Sequence, residues 1–176
     1  METFITDFNI ISAVGAIIFF IAGIIILVLA LFAKEEGNDI YAWLKKNALL
    51  GGFIVAWLSV IGSLIYSNGI GYAPCELCWT LRIFIYSQAV LYTIALIKKD
   101  RAVFKYALWL SVLGLIVSLY HNWIMLGGTD FVACSSVGAS CTMIYVNEFG
   151  FITIPFMGLS SILFLLGISA LAIKDK

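Results

Sequence analysis

Residues 10–33 read IISAVGAIIFFIAGIIILVLALFA, 24 consecutive positions without a charged side chain. A helix needs about 20 apolar residues to cross a hydrocarbon core roughly 30 Å thick. Four further stretches have the same character: Asn47–Tyr66, Trp79–Ile97, Tyr106–Met125 and Phe151–Ile173. The only Lys, Arg, Asp or Glu within all five is Arg82. Composition agrees with this reading, for 63% of the 176 residues are hydrophobic and 11% are charged. Soluble domains are about 45–50% apolar and about 25% charged. A small soluble globule has too much surface for its volume to hide this much apolar area. A water-soluble enzyme and a disordered chain are therefore excluded. Ten Lys and Arg balance ten Asp and Glu, so no basic excess points to nucleic acid or another polyanion. The runs are continuous, not alternating segments of roughly ten residues, which excludes a β-barrel. The expected fold is an all-α integral membrane protein with five spans.

The segments between the spans fall into two sets. Segments 34–46, 98–105 and 174–176 carry Lys34, Lys45, Lys46, Lys98, Lys99, Arg101, Lys105, Lys174 and Lys176. Segments 1–9, 67–78 and 126–150 carry no Lys or Arg. The positive-inside rule makes the first set cytoplasmic, which puts the N-terminus outside and the C-terminus inside. Ile10–Ala33 is read as a retained span and not as a cleaved signal. Met1–Asn9 has Glu2 and Asp7 and no positive charge, and the apolar run exceeds the 7–15 or so residues of a signal peptide. Small residues at helical spacing, Ser59 with Gly62 and Ser63 and Gly114 with Ser118, are expected to pack helix on helix.

The four cysteines, Cys75, Cys78, Cys134 and Cys141, all fall in the outer segments. Cysteines that served as small hydrophobes would be spread among the spans, whereas this sorting suits disulfide chemistry in an oxidising compartment. The first pair stands in Pro74-Cys75-Glu76-Leu77-Cys78-Trp79, a C-x-x-C at the start of a helix. The positive end of the helix dipole there favours a thiolate. Trp79 in place of a histidine excludes a c-type haem attachment. At about 100° per residue, Arg82 lies on the same helix side as both cysteines and deeper. It reads either as an interfacial anchor or as a fixed cation beside a thiolate or reduced cofactor. The second pair, Cys134 and Cys141, encloses six small residues. It reads as a static loop staple or a working disulfide. Zinc held by all four thiolates fits less well, because metal ligand pairs are usually two to four residues apart. His121, the only histidine, is either a hydrogen-bonding anchor or a proton donor at the depth of the C-x-x-C.

Pro74-Cys75-x-x-Cys78-Trp79-x-x-Arg82, a two-span gap, a loop cysteine pair and a final span together resemble the DsbB family. The short-loop branch often called BdbC is the nearer likeness, which extends to the segments Ser140-Cys141-Thr142 and Phe151-Ile152-Thr153-Ile154-Pro155. The resemblance covers about residues 47–173. It implies a four-helix transmembrane bundle with an outer redox loop at 126–150, and Ile10–Ala33 is then an extra N-terminal transmembrane helix. It further implies a membrane quinone, ubiquinone or menaquinone, bound near the C-x-x-C. The implied partner is a DsbA-like thioredoxin-fold protein on the outer side. Cys75 and Cys78 match the quinone-linked pair, Cys134 and Cys141 the partner-facing pair, and Arg82 and His121 the cofactor-binding residues, with no metal. The loop pair is much closer together than in the best-known branch. Vitamin K epoxide reductase relatives place their loop cysteines before the C-x-x-C, opposite to the order here. Each pair is close in sequence and is expected to be disulfide-bonded at rest, with a transient Cys75–Cys134 bridge allowed by shared depth. The expected activity is oxidation of a secreted dithiol protein with reduction of the quinone. A thiol reductant conduit running in the opposite direction stays open, as does a membrane scaffold or small transporter with static disulfides.

Overall fold

The computed structural model describes residues 2–32, 39–129 and 140–173. In chain order the helices are α1 (Glu2–Phe32), α2 (Asp39–Lys46), α3 (Ala48–Leu64), α4 (Glu76–Lys98), α5 (Val103–Met125) and α6 (Ile154–Ile173). A single π-helical turn, Ile65–Gly69, extends α3. Among the described residues the only β pairing is one isolated bridge between Glu148 and Ile152. Five helical segments are long and apolar enough to cross a membrane: Glu2–Phe32, Asp39–Gly69, Glu76–Lys98, Val103–Met125 and Ile154–Ile173. The protein is a multi-pass membrane bundle.

Two span starts differ from the sequence expectation by eight residues, and the other boundaries by three or fewer. Helix α1 begins at Glu2 and not at Ile10, since residues 2–9 hold no helix breaker and Glu2 suits the positive end of the dipole. The second span begins at Asp39, because the short α2 feeds into α3 through Asn47. The Asn47 side-chain amide donates to the Trp43 carbonyl at 2.8 Å across that junction.

The spanning helices are apolar on nearly every side, yet their few polar residues mark the core face, for Gln88, Ser111, Ser118, Ser160 and Ser169 are buried, and small residues share that face. Large side chains such as Ile83, Ile97, Trp109 and Ile116 point outward, while Ala13, Ala56, Ala89 and Ala107 are buried. Lipid supplies no hydrophobic drive between helices, so close backbone approach and interhelical hydrogen bonds hold them together. Helix α6 is the central post and packs against α1, α5 and α3. At the α1–α6 crossing a Cβ on Gly167 would stand 2.9 Å from the Gly23 carbonyl oxygen, and one on Gly23 would stand 2.8 Å from the Phe164 nitrogen. Ser59 donates to Ser161 at 2.8 Å between α3 and α6, and the Tyr92 and Ser169 hydroxyls pair at 2.8 Å between α4 and α6.

Gly114 has the packing role expected of it, since a Cβ there would press on Ile162 and Phe84. Gly62 does not. A Cβ on Gly62 would meet nothing within 4 Å, because this face of α3 borders a cavity and not a neighbouring helix.

The helix directions gather the starts of α1, α4 and α6, the end of α5 and the π-helical turn at one end of the bundle. Lys45, Lys46, Lys98, Lys99, Arg101 and Lys105 lie at the other end, at or near the ends of α2, α4 and α5. There the Arg101 guanidinium donates to the Lys45 carbonyl at 3.0 Å.

Candidate active site

The C-x-x-C is built by the turn that precedes α4. Gly71 adopts φ +91°, a conformation open to glycine and strained for other residues. The chain then runs extended into Cys75, which caps α4 with φ −76° and ψ 172°. Its Sγ accepts the backbone N–H of Cys78 at 3.3 Å. A sulfur therefore occupies the N-cap place usually filled by Ser, Thr or Asp.

Cys75 and Cys78 are free thiols with their sulfurs 2.7 Å apart. The resting disulfide that the sequence leads us to expect between them is not formed in this structure. A disulfide needs about 2.05 Å, so only a small side-chain adjustment separates the two forms. His121, on the last turns of α5, brings Nε2 to 3.7 Å from the Cys75 sulfur. Cys75 is buried at 5% exposure and His121 at 2%. The Cys75 thiol is pulled down from 9.0 to about 4, first by the hydrogen bond from the Cys78 thiol and then by His121 and the Cys78 amide, against the opposing effect of burial.

Cys75, Cys78 and His121 hold their ligand atoms within 4.8 Å of one another, a set able to grip a thiophilic metal ion. Among the described residues no fourth His, Cys, Asp or Glu joins them. Cys141 is disulfide-bonded and so is no thiolate ligand, which argues against the four-thiolate zinc site. Cys134 lies outside the described residues.

Arg82 sits two turns into α4, where its Nε donates to the Ser63 hydroxyl at 2.8 Å and its Nη2 to the Ser63 carbonyl at 3.2 Å. The guanidinium also lies 4.9 Å from the centre of the Trp79 ring. Ser63 and Trp79 thus fix its plane, and its remaining N–H groups have no hydrogen-bond partner among the described residues.

These groups open onto one cavity of about 370 Å³, lined by Cys75, Cys78, Arg82 and His121 and also by Cys141. The volume suits a small organic ligand, for which pockets run from about 300 to 1,000 Å³. Its walls are mostly apolar, and three buried polar atoms of its lining residues lack partners of good geometry: the Tyr66 and Tyr86 hydroxyls and His121 Nδ1. Tyr145 holds the segment after Cys141 against the segment before Cys75. Its ring stacks on Tyr72 at 4.6 Å and its hydroxyl donates to the Ala73 carbonyl at 3.3 Å.

A family model described as disulfide bond formation protein DsbB matches residues 45–173. The chain belongs to the DsbB family. A probable disulfide formation protein of Oceanobacillus iheyensis is 39% identical over 138 residues, covering 74% of this chain and 92% of that protein. A probable disulfide formation protein C of Halalkalibacterium halodurans is 38% identical over 134 residues, covering 74% of this chain and 96% of that protein. The SPbeta prophage-derived disulfide bond formation protein B of Bacillus subtilis is 38% identical over 132 residues, with 74% and 89% covered. No solved structure matches the chain. Membership in the DsbB family makes this a membrane protein of disulfide bond formation, with a general disulfide-forming oxidoreductase role.

Of the residues singled out from the sequence, the fold brings together Cys75, Cys78, Arg82, His121 and Cys141. Ser63, Tyr66, Tyr72 and Tyr145 were not foreseen. Tyrosines near span ends read as ordinary interface aromatics, and only the π-helical turn and the loop path bring these to the site.

Proposed function

We propose that the protein reoxidises a DsbA-like, thioredoxin-fold dithiol partner and passes the electron pair to a membrane quinone. The observation that carries this reading is one cavity shared by a reduced C-x-x-C, a bonded loop cysteine, a fixed arginine and a buried histidine. The cavity's mostly apolar lining, free guanidinium N–H groups and unpartnered buried polar atoms suit a flat, apolar ring bearing carbonyl oxygens. We assign the end bearing the cysteines to the outside, because nine of the ten basic residues fall in the opposite set of segments.

The thiol steps follow in the order that the placement of Cys141 beside Cys75 supports. A partner thiolate attacks Cys134 of a Cys134–Cys141 disulfide, forming a mixed disulfide and releasing the Cys141 thiolate. Cys141 lines the cavity with Cys75, so its thiolate attacks the Cys75–Cys78 disulfide at Cys75 and releases Cys78. The second partner thiol then resolves the mixed disulfide and frees Cys134. Cys134 attacks Cys141, restoring the loop disulfide and leaving Cys75 and Cys78 as a dithiol. Two electrons have moved from the partner to the C-x-x-C. We draw the transient bridge between the pairs through Cys141 because it lines the cavity with Cys75; the Cys75–Cys134 bridge stays open, Cys134 lying outside the described residues.

A bound quinone supplies an acceptor for two electrons and two protons. Arg82 and His121 would hold it. Arg82 offers a fixed positive charge and spare N–H donors, and His121 stabilises the Cys75 thiolate and moves a proton at Nε2. The test is reduction of a soluble quinone analogue by purified protein in lipid nanodiscs, supplied with a reduced thioredoxin-fold dithiol protein. Stoichiometric quinone reduction with partner oxidation is expected. No quinone reduction by intact protein with reducible cysteines would overturn the reading.

A further inference from the structure

Helix α1 lies wholly before the matched residues 45–173. The curated relatives are covered along 92% and 96% of their lengths by matches that take up three-quarters of this chain. What remains of them is too short for a helix of 31 residues. Nothing in the family match assigns this helix a task.

The geometry points to one: we propose that α1 is a wall of the quinone-binding cavity and sets its width. Phe8, Ser12, Gly15, Ala16 and Phe19 line the same cavity as Cys78 and Arg82. Their spacing places them on one side of the helix. The helix is held in register, for it crosses α6 at the Gly23–Gly167 contact and buries Ala13 and Ala16 beside Ile152. Gly15 is the informative position. It lines the cavity, yet a Cβ there would meet nothing within 4 Å. Its missing side chain is part of the open space, and Gly62 supplies a matching opening on α3.

A second observation points to a ligand with a hydrogen-bond acceptor. Tyr66 is 6% exposed, and its buried hydroxyl has no aligned partner. Phe8 meets its ring edge-on at 5.0 Å, and Ser12 stands beside its hydroxyl. A hydroxyl that accepts from Ser12 keeps its own O–H to donate, so a carbonyl oxygen arriving between α1 and the π-helical turn would meet a donor there. A quinone carbonyl is such an oxygen. Tyr66, supported by Ser12, is a further binding residue for the ring, across the cavity from α4.

This inference rests on the quinone reading, and the experiment separates the two. Full-length protein in nanodiscs is titrated with a short-chain ubiquinone and with menadione, and binding is read from quenching of tryptophan fluorescence. Thermal unfolding and oxidation of Cys75 and Cys78 by a small disulfide are recorded alongside, neither of which needs the quinone. Gly15→Leu is expected to weaken binding at least tenfold, more for the two-ring menadione than for the one-ring ubiquinone. Tyr66→Phe is expected to weaken both about fivefold to tenfold. Ile18→Ala, on the lipid side, is expected to bind as the parent does. Should Gly15→Leu not assemble, Tyr66→Phe and Ser12→Ala only remove atoms and carry the test. Parental affinity in well-folded Gly15→Leu, or in Tyr66→Phe and Ser12→Ala together, overturns the role of α1. Absence of quinone binding by the parent protein overturns the quinone reading itself.

Discussion

Cys75 acquires its chemistry from where its backbone stops being extended and becomes helical. Its sulfur receives the Cys78 amide at 3.3 Å and faces His121 at 3.7 Å, so the first proton to leave the reduced pair departs well below the ordinary thiol range. Below that step the thiol is neutral and a poor nucleophile; above it the thiolate persists through the physiological range. Ultraviolet absorbance of the reduced protein should show one thiolate already formed at pH 6. In His121→Ala the step should move upward, because a hydrogen bond to the charged form and a favourable charge are both lost. A parent protein whose first thiol titrates near the ordinary 9.0 would refute this picture of the site. Arg82 is positioned by Ser63 on a different helix, so charge alone does not replace it. Arg82→Lys loses the planar fork and is expected to raise the acceptor KM about tenfold while the protein stays folded; unchanged acceptor kinetics would leave Arg82 an anchor. The cysteines and Arg82 were legible in the sequence because a C-x-x-C at a helix start constrains what lies one and two turns deeper, and His121, on α5, because it is the only histidine. Ser63 and Tyr66 were not, since their partners are set by how α3 ends, and the wider π-helical turn leaves no distinctive residue pattern.

Among the elements, α1 was easily seen as a span and its place in the bundle was invisible. Apolar residues surround it, so no stripe indicates which face meets protein. Glycines mark that face, and a glycine in a span has two opposite uses. Gly23 and Gly167 let two backbones touch, whereas Gly15 and Gly62 leave space unfilled. The sequence alone does not tell these apart, and Gly62 was taken for a packing position for that reason. The two uses predict different stabilities. Gly167→Leu forces a side chain against the Gly23 carbonyl, where a Cβ would already stand at 2.9 Å. It should cost about 1–3 kcal/mol and lower the thermal unfolding midpoint in detergent. Gly51→Leu, whose Cβ would meet nothing within 4 Å, should leave that midpoint within a degree or two of the parent, as expected for a surface change within about 0.5 kcal/mol. Equal midpoints for the two variants would show that the α1–α6 crossing is not close-packed.

At the scale of the whole molecule, the proposed electron path needs two redox pairs with different neighbours, and the bundle supplies that difference. One pair begins a spanning helix and shares its cavity with Arg82. The other lies in the segment between α5 and α6, where Cys141 reaches the cavity and its described neighbours Ser140, Thr142 and Met143 are exposed. Each pair should therefore fail in its own way. With Cys134 and Cys141 both changed to Ser, the thioredoxin-fold partner has no disulfide to attack, and its oxidation should stop. A small dithiol such as dithiothreitol reaches Cys75 and Cys78 without the loop, so quinone reduction from that donor should survive in part. With Cys75 and Cys78 both changed to Ser, the loop disulfide should oxidise one equivalent of partner and then stand reduced, and quinone reduction should cease for every donor. Stopped-flow absorbance of the quinone and gel-shift counting of partner thiols distinguish these outcomes. Each 30 mV between donor and acceptor is worth about 1.4 kcal/mol for a two-electron couple, so the direction of flow follows from the two potentials once both pairs are intact. Normal quinone turnover by the Cys75→Ser, Cys78→Ser variant would put the electron exit somewhere other than the mouth of α4.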